Sequence, residues 1–240
     1  MQATIITLFP ELFPGVLGHS ILGKGLREGI WSLETINLRD FAYGKHENVD
    51  DTPYGGGAGM LMRADVVGPA IEAAPKGRII YLSPRGTPLT QPVVKELASE
   101  ESLTLLCGRF EGVDQRVLDY YEVEEISIGD YVLAGGEVAA QVLLESVLRL
   151  IPGILGESHS AEEESFGLDS DYSDLLEYPH YTKPAIWKEM AVPEVLVSGH
   201  HENIKKWRKE QAEALTKARR PDMWQRSKKK EDRDEPITKD

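Results

Sequence analysis

With 240 residues, 41% of them hydrophobic and 8% aromatic, the chain has enough apolar material for one large packed domain, or for a principal domain and a smaller one. Its single cysteine excludes an internal disulfide framework and a Cys-cluster metal site and suits a reducing cytoplasm. No stretch approaches the roughly 18 apolar residues of a membrane span, so a soluble cytoplasmic protein without a membrane partner is expected, and the net charge of −13 argues at first against nucleic acid.

Residues 3–9 are a β-branched apolar run closed by Pro10, the first predicted strand. Residues 11–29 are apolar at near-helical spacing but interrupted by Pro14, Gly15 and Gly18, which predicts two short helices. No G-x-G-x-x-G follows the first strand, so a dinucleotide fingerprint is excluded. Residues 33–38 offer a second strand. The polar segment 40–63 carries Gly55, Gly56, Gly57 and Gly59 without a following Gly-Lys-Ser/Thr, which excludes a Walker loop. It reads either as a flexible surface loop or as a mobile loop whose bare backbone approaches a flat partner such as a base or ribose.

Residues 65–74 predict a helix, and residues 78–82 a buried strand that ends in Ser83-Pro84-Arg85-Gly86. A helix over 91–99 and a strand over 103–107 follow, with Cys107 read as a small core residue. Strands alternating with helices at this spacing imply a mostly parallel α/β sheet with helices on both faces. Between residues 103 and 136, three apolar runs end in glycine: 103–107 before Gly108, 125–128 before Gly129, and 131–133 before Gly135-Gly136. Each reads as a buried strand followed by a turn. Together they predict a ligand pocket lined by main-chain groups beyond the carboxyl ends of the strands.

Residues 137–151 are helical, with Glu137, Gln141, Glu145 and Arg149 as one polar stripe. On that pattern Arg149 is an i, i+4 partner of Glu145 near the helix C-terminus. The segment from Glu157 to Glu177 then holds eight acids and no Lys or Arg, whereas residues 203–230 hold eleven Lys and Arg against three acids, a local net of +8. Binding to phosphates depends on local potential, so such a patch can act on an acidic protein. The predicted organisation is a domain over 1–155, a flexible acidic linker over 156–174, and a small helical domain over 175–240. In that second domain Trp207 interleaves with the bases of a helix over 202–217, and a disordered tail begins at Lys228.

The combination VDDTPYGGGAGM (49–60), YLSPRG (81–86), CGRFEGVDQRV (107–117), SIGDYVLAGGE (127–137), RLIPGILG (149–156), LLEYPHYTKP (175–184) and VPEVLVSGHH (192–201) resembles the bacterial tRNA (guanine-37-N1)-methyltransferase family. The likeness extends to about Pro221. It implies a SPOUT-type α/β fold with a deep trefoil knot, working as a homodimer on tRNA with guanine at position 37 and using S-adenosylmethionine. By motif match the cofactor pocket comprises Tyr81, Leu82, Ser83, Pro84 and Gly86, then Gly108, Phe110, Glu111 and Gly112. It continues with Ile128, Gly129, Asp130, Tyr131, Val132, Leu133, Gly135 and Gly136. Asp50, Tyr54, Gly55, Gly56, Gly57 and Gly59 would flank the flipped-out guanine, and the basic domain, with Lys205 and Arg208, would grip the anticodon arm.

The resemblance also makes Arg149 the cation beside guanine O6, and places the general base where this chain has Glu164. The family pattern has aspartate there, and a misplacement of about 1 Å can cost ~10²-fold in rate. Asp169 or Asp171 could substitute. Phe110 replaces the family's usual tyrosine. No residues of the chain have metal-ligand spacing. Two rivals remain open at this level, a SPOUT methyltransferase for another RNA position and a tRNA-binding module without catalysis. If the linker orders on tRNA, hydrogen exchange over residues 156–174 slows when tRNA and a donor analogue are added together, and unchanged rapid exchange counts against it.

Overall fold

The computed structural model describes residues 1–155, 164–166 and 174–234. The chain divides into two compact units, Met1–Gly156 and Glu157–Asp240. Most of the acidic segment expected to be a linker, including Asp169 and Asp171, lies outside the described residues.

The first unit is built on five parallel strands, β1 (Gln2–Thr7), β2 (Ser32–Asn37), β5 (Arg78–Pro88), β6 (Ser102–Leu106) and β7 (Glu124–Ser127), in the order β2-β1-β6-β5-β7. Two short antiparallel strands, β3 (Asp50–Asp51) and β4 (Leu61–Met62), form a separate hairpin. Because side chains alternate across a pleated strand, each central strand feeds two cores. Ala3, Ile5, Ile80, Leu82, Leu103 and Leu105 face α1 (Ser20–Arg27), α3 (Gln91–Ala98) and α5 (Gly136–Leu148). Ile6, Tyr81 and Leu106 face α2 (Ala64–Ala73) and α4 (Gln115–Tyr120). Residues 11–29, expected to give two short helices, give 3-10 turns at Pro10–Leu12 and Gly15–Gly18 followed by α1.

The strand expected to end at Leu82 continues to Pro88. Leu82 and Thr87 both pair with Ile126, so Ser83-Pro84-Arg85-Gly86 is looped out as a wide bulge. Gly86 is where the chain returns to the sheet: a Cβ there would lie 2.4 Å from the main-chain carbon of Glu125, closer than any side chain tolerates. The run 131–133, read as a third strand, is an open loop with Val132 85% exposed. The polar stripe expected on α5 is also interrupted, because Glu137 is 1% exposed whereas Val138 and Val142 face outward.

The second unit contains the hairpin of β8 (Ile186–Trp187) and β9 (Met190–Ala191), then α6 (Glu194–Val197), α7 (His201–Arg219) and α8 (Pro221–Asp234). Leu175, Tyr178 and Ala212 are its core, with Trp207 and Trp224 packed against them. Buried Thr216 ties the pieces together: its Oγ1 donates to the Ala212 carbonyl at 2.7 Å and accepts from the Leu176 N–H at 2.8 Å. Trp207, expected among the phosphate-binding bases, is thus a packing residue. The helix α8 also runs through Lys228, where disorder was expected. Lys, Arg, Gln and Glu are good helix formers, and one-turn pairs such as Asp222 with Arg226 (3.5 Å) and Trp224 with Lys228 (4.6 Å to the ring centre) support it. Residues 235–240 lie outside the described residues.

Candidate active site

A cleft of about 480 Å³ opens beyond the carboxyl ends of β5, β6 and β7. Three segments wall it: the β5 bulge, the loop over 108–113, and the loop over 127–136 that leads into α5. All the residues assigned to the cofactor pocket from the sequence line it except Gly86 and Asp130. Gly86 sits behind the wall for the reason given above, and Asp130 is exposed. At the inner end the Gly136 N–H donates to the Gly108 carbonyl at 2.9 Å, so two walls are joined. A Cβ at Gly136 would stand 2.8 Å from the Cys107 Cα, which restricts this contact to glycine.

The floor is held by one buried carboxylate. Thr7 Oγ1 donates to Glu137 Oε1 at 2.8 Å, Arg109 Nε donates to the same oxygen at 3.2 Å, and Arg109 Nη2 lies 2.9 Å from Glu137 Oε2. The Arg109 guanidinium also covers the Phe9 ring at 4.4 Å. Burial, and then the Glu137 charge, push the adjacent Cys107 thiol well above its usual range, so it stays protonated and is no nucleophile. At the rim, Arg85 reaches Glu125 at 3.1 Å and Gln115 at 3.2 Å.

Residues 52–60 connect β3 to β4, and Tyr54 at their tip is 99% exposed. Gly55, Gly56, Gly57 and Gly59 all have φ between +77° and +126°, a region open to glycine. The base of the hairpin is bonded to the 108–113 wall of the cleft and the residue after it: the Glu111 N–H donates to the Met60 carbonyl, the Met62 N–H to that of Gly112, and the Asp114 N–H to that of Met62. Asp50, in the hairpin itself, is half-buried.

Arg149 caps the C-terminal end of α5 in the first unit and is half-buried. Glu164 belongs to the second unit. Beside it Ser165 Oγ accepts from the Glu177 N–H at 2.9 Å, and the Phe166 N–H donates to the Leu175 carbonyl at 3.5 Å. Lys205 is exposed on α7, whereas Arg208 lies over the Tyr178 ring at 4.8 Å. Sequence reasoning overlooked Arg85, Arg109 and Gln115 as lining residues, and with them α4. An N-cap signal was available there: Asp114 Oδ1 accepts from the Arg116 N–H at 3.0 Å. Among the described residues no three His, Cys, Asp or Glu side chains converge as metal ligands would, and no helix is long and apolar enough to cross a membrane.

The sequence pattern of the family described as tRNA (Guanine-1)-methyltransferase TrmD matches residues 1–226. The chain belongs to this family. A tRNA (guanine-N(1)-)-methyltransferase of Cereibacter sphaeroides is 58% identical over 231 aligned residues, covering 93% of this chain and 91% of that protein. Proteins of the same description from Roseobacter denitrificans and Rhodospirillum rubrum are 59% and 58% identical over 228 residues, covering 93% and 94% of this chain and 92% and 93% of theirs. Family membership agrees with the expected α/β class, since the central sheet is wholly parallel with helices on both faces.

In this member of the tRNA (guanine-1)-methyltransferase family the carboxylate under the cleft makes the floor testable. Glu137→Gln leaves the Arg109 charge without its counter-ion. It is expected to lower the unfolding free energy by about 2–3 kcal/mol, less than a fully buried pair because Arg109 is part-exposed. A urea midpoint equal to the parent's would show that the pair does not hold the floor.

Proposed function

We propose that the chain methylates N1 of guanine 37 in tRNA, with S-adenosylmethionine as donor, and that it does so as a homodimer with the knotted topology of its family. Membership of the tRNA (guanine-1)-methyltransferase family supports the reaction and the tRNA substrate. The observation that carries the donor assignment is the glycine-walled cleft. Its volume falls within the roughly 300–1,000 Å³ of small-molecule sites. Its rim carries the exposed apolar side chains of Phe110, Val132 and Leu133, which a flat base can cover.

When bound, S-adenosylmethionine supplies a methyl group on a sulfonium, an electrophile that needs no further activation. The task left to the protein is to make guanine N1 nucleophilic. N1 carries a proton, and its loss places negative charge on O6. In the proposed site Glu164 accepts the N1 proton as general base and the Arg149 guanidinium stabilises the charge at O6. Asp50, Tyr54 and the glycine hairpin flank the base, whose removal from the loop stack leaves main-chain groups as its partners. The basic second unit, with Lys205 on its exposed face, grips the anticodon arm through phosphate contacts.

Support for the homodimer comes from the outer face of α5. Val138 and Val142 lie one turn apart and are 58% and 45% exposed. Gln141 Nε2 donates to the Leu12 carbonyl at 3.0 Å, which joins α5 to a second exposed group, Leu12 and Val16. Exposed apolar side chains grouped on linked elements are what an association site offers, and in the proposed dimer Glu164 serves the pocket of the other subunit. Val142→Glu is therefore expected to convert the dimer to a monomer in sedimentation velocity and to abolish turnover; a monomeric parent would refute the assembly.

The reaction is tested by methyl transfer to an unmodified tRNA transcript and to one with adenine at position 37. Only the first is expected to accept a methyl group, mapped to N1. Glu164→Ala is expected to reduce kcat by about 10²–10⁴-fold, the usual contribution of a general base, with Glu164→Asp less impaired. Full activity in Glu164→Ala would remove that residue from the mechanism.

A further inference from the structure

A second cavity of the first unit shares only Tyr54 and Gly55 with the residues assigned to the target guanine. It is a cleft of about 1050 Å³ that shares Leu61 with the donor cleft and runs between the β3–β4 hairpin, α2 and α4. Its walls display flat side chains in fixed orientations. Tyr120, at the end of α4, is 79% exposed, and its ring meets that of Tyr121 edge-on at 81° and 4.8 Å between centres. Tyr121 is itself fixed, since its hydroxyl donates to Glu72 Oε1 at 2.7 Å. Arg116 donates from Nε and Nη2 to the two carboxylate oxygens of Asp114 at 2.9 and 2.6 Å, which sets the plane of a guanidinium whose side chain is 75% exposed. The hairpin contributes Tyr54 to the same lining.

Charge decides what such a surface can hold. The two guanidiniums of the cleft, Arg63 and Arg116, are already paired with Asp65 and Asp114 at 2.7 and 2.6 Å, and Asp51 and Glu72 add further negative charge. A phosphate group would enter a negative field with both cations committed. A neutral planar group would find aromatic and guanidinium faces to stack on, with carboxylates at the edge to accept its N–H donors. Unpaired nucleobases have this chemistry, and proteins read them by stacking and edge hydrogen bonds.

We infer that this cleft is a second nucleobase site, which stacks an unpaired base of the RNA substrate on the Tyr120 ring and the Arg116 guanidinium while the target guanine occupies the first site. The inference rests on the reading of the chain as a tRNA methyltransferase and adds to it a base contact on the other side of the hairpin. It also explains why Tyr120, with its large apolar face, is left in solvent where burial would otherwise be favoured.

The test compares the parent with Tyr120→Ala, Tyr120→Phe and Arg116→Gln, using tRNA with 2-aminopurine at each nucleotide flanking the target guanine. Binding to the parent is expected to change the fluorescence of one of these probes by stacking, and Tyr120→Ala to abolish that change while Tyr120→Phe keeps it. In turnover, Tyr120→Ala is expected to raise KM for tRNA about tenfold, as loss of one base stack does, with KM for the methyl donor unaltered. Arg116→Gln is expected to leave the dependence of tRNA affinity on salt unchanged. A probe response in Tyr120→Ala equal to the parent's overturns the inference. So does a salt slope that falls by about one in Arg116→Gln, because that would assign the residue to a phosphate. A parent that binds the labelled tRNA but transfers no methyl group would sink the catalytic reading alone.

Discussion

An ionised carboxylate removed from water is costly unless other groups replace its hydration, and Glu137 is the point where this chain meets that constraint. Its replacements come from two parts of the chain distant from α5: the Thr7 hydroxyl at the end of β1 and the Arg109 guanidinium after β6. The network therefore does more than neutralise a charge. It fixes where the loop after β6 meets the loop before α5, and the Gly136 to Gly108 hydrogen bond repeats that joint in the main chain. The cleft beyond the strands takes its shape from these contacts, and the glycines along its walls leave room for a ligand to approach the backbone.

Much of the sheet was legible because buried parallel strands are apolar on both faces. Ala3, Ile5 and Ile6, then Ile80 to Leu82, then Leu103, Leu105 and Leu106 divide in this way between the two cores, with Thr4 and Thr104 buried among them. The same logic failed for residues 131–133, which are equally apolar but form an exposed cleft wall. Apolar content reports affinity for a non-aqueous neighbour and does not say whether that neighbour is protein or ligand. The β5 bulge was invisible for another reason: it is defined by pairing with Ile126, some forty residues away along the chain.

Periodicity was similarly partial. A repeat of four placed Glu137 with Gln141 and Glu145, but a shared helical face says nothing about whether an arginine from another loop waits opposite one of its members. On α7 the full pattern was present, with Ile204, Trp207, Arg208, Gln211, Ala212, Leu215 and Thr216 at three- and four-residue intervals and all at least half-buried. Attention to the flanking lysines hid it. Motif resemblance reached most of the residues that line the cleft where the loops have distinctive glycines. Arg109 and Gln115 escaped because their importance lies in partners distant in sequence.

The hairpin that carries Tyr54 and the loop that carries Gly112 are not independent parts. They share main-chain hydrogen bonds at Glu111, Met62 and Asp114, so the conformational freedom of one is bounded by that of the other. A ligand that stiffens the loop lowers the entropy still to be lost when another settles on the hairpin, and the converse holds by thermodynamic reciprocity. Any such coupling runs through the peptide backbone, because the hydrogen bonds that join the two segments are between main-chain groups.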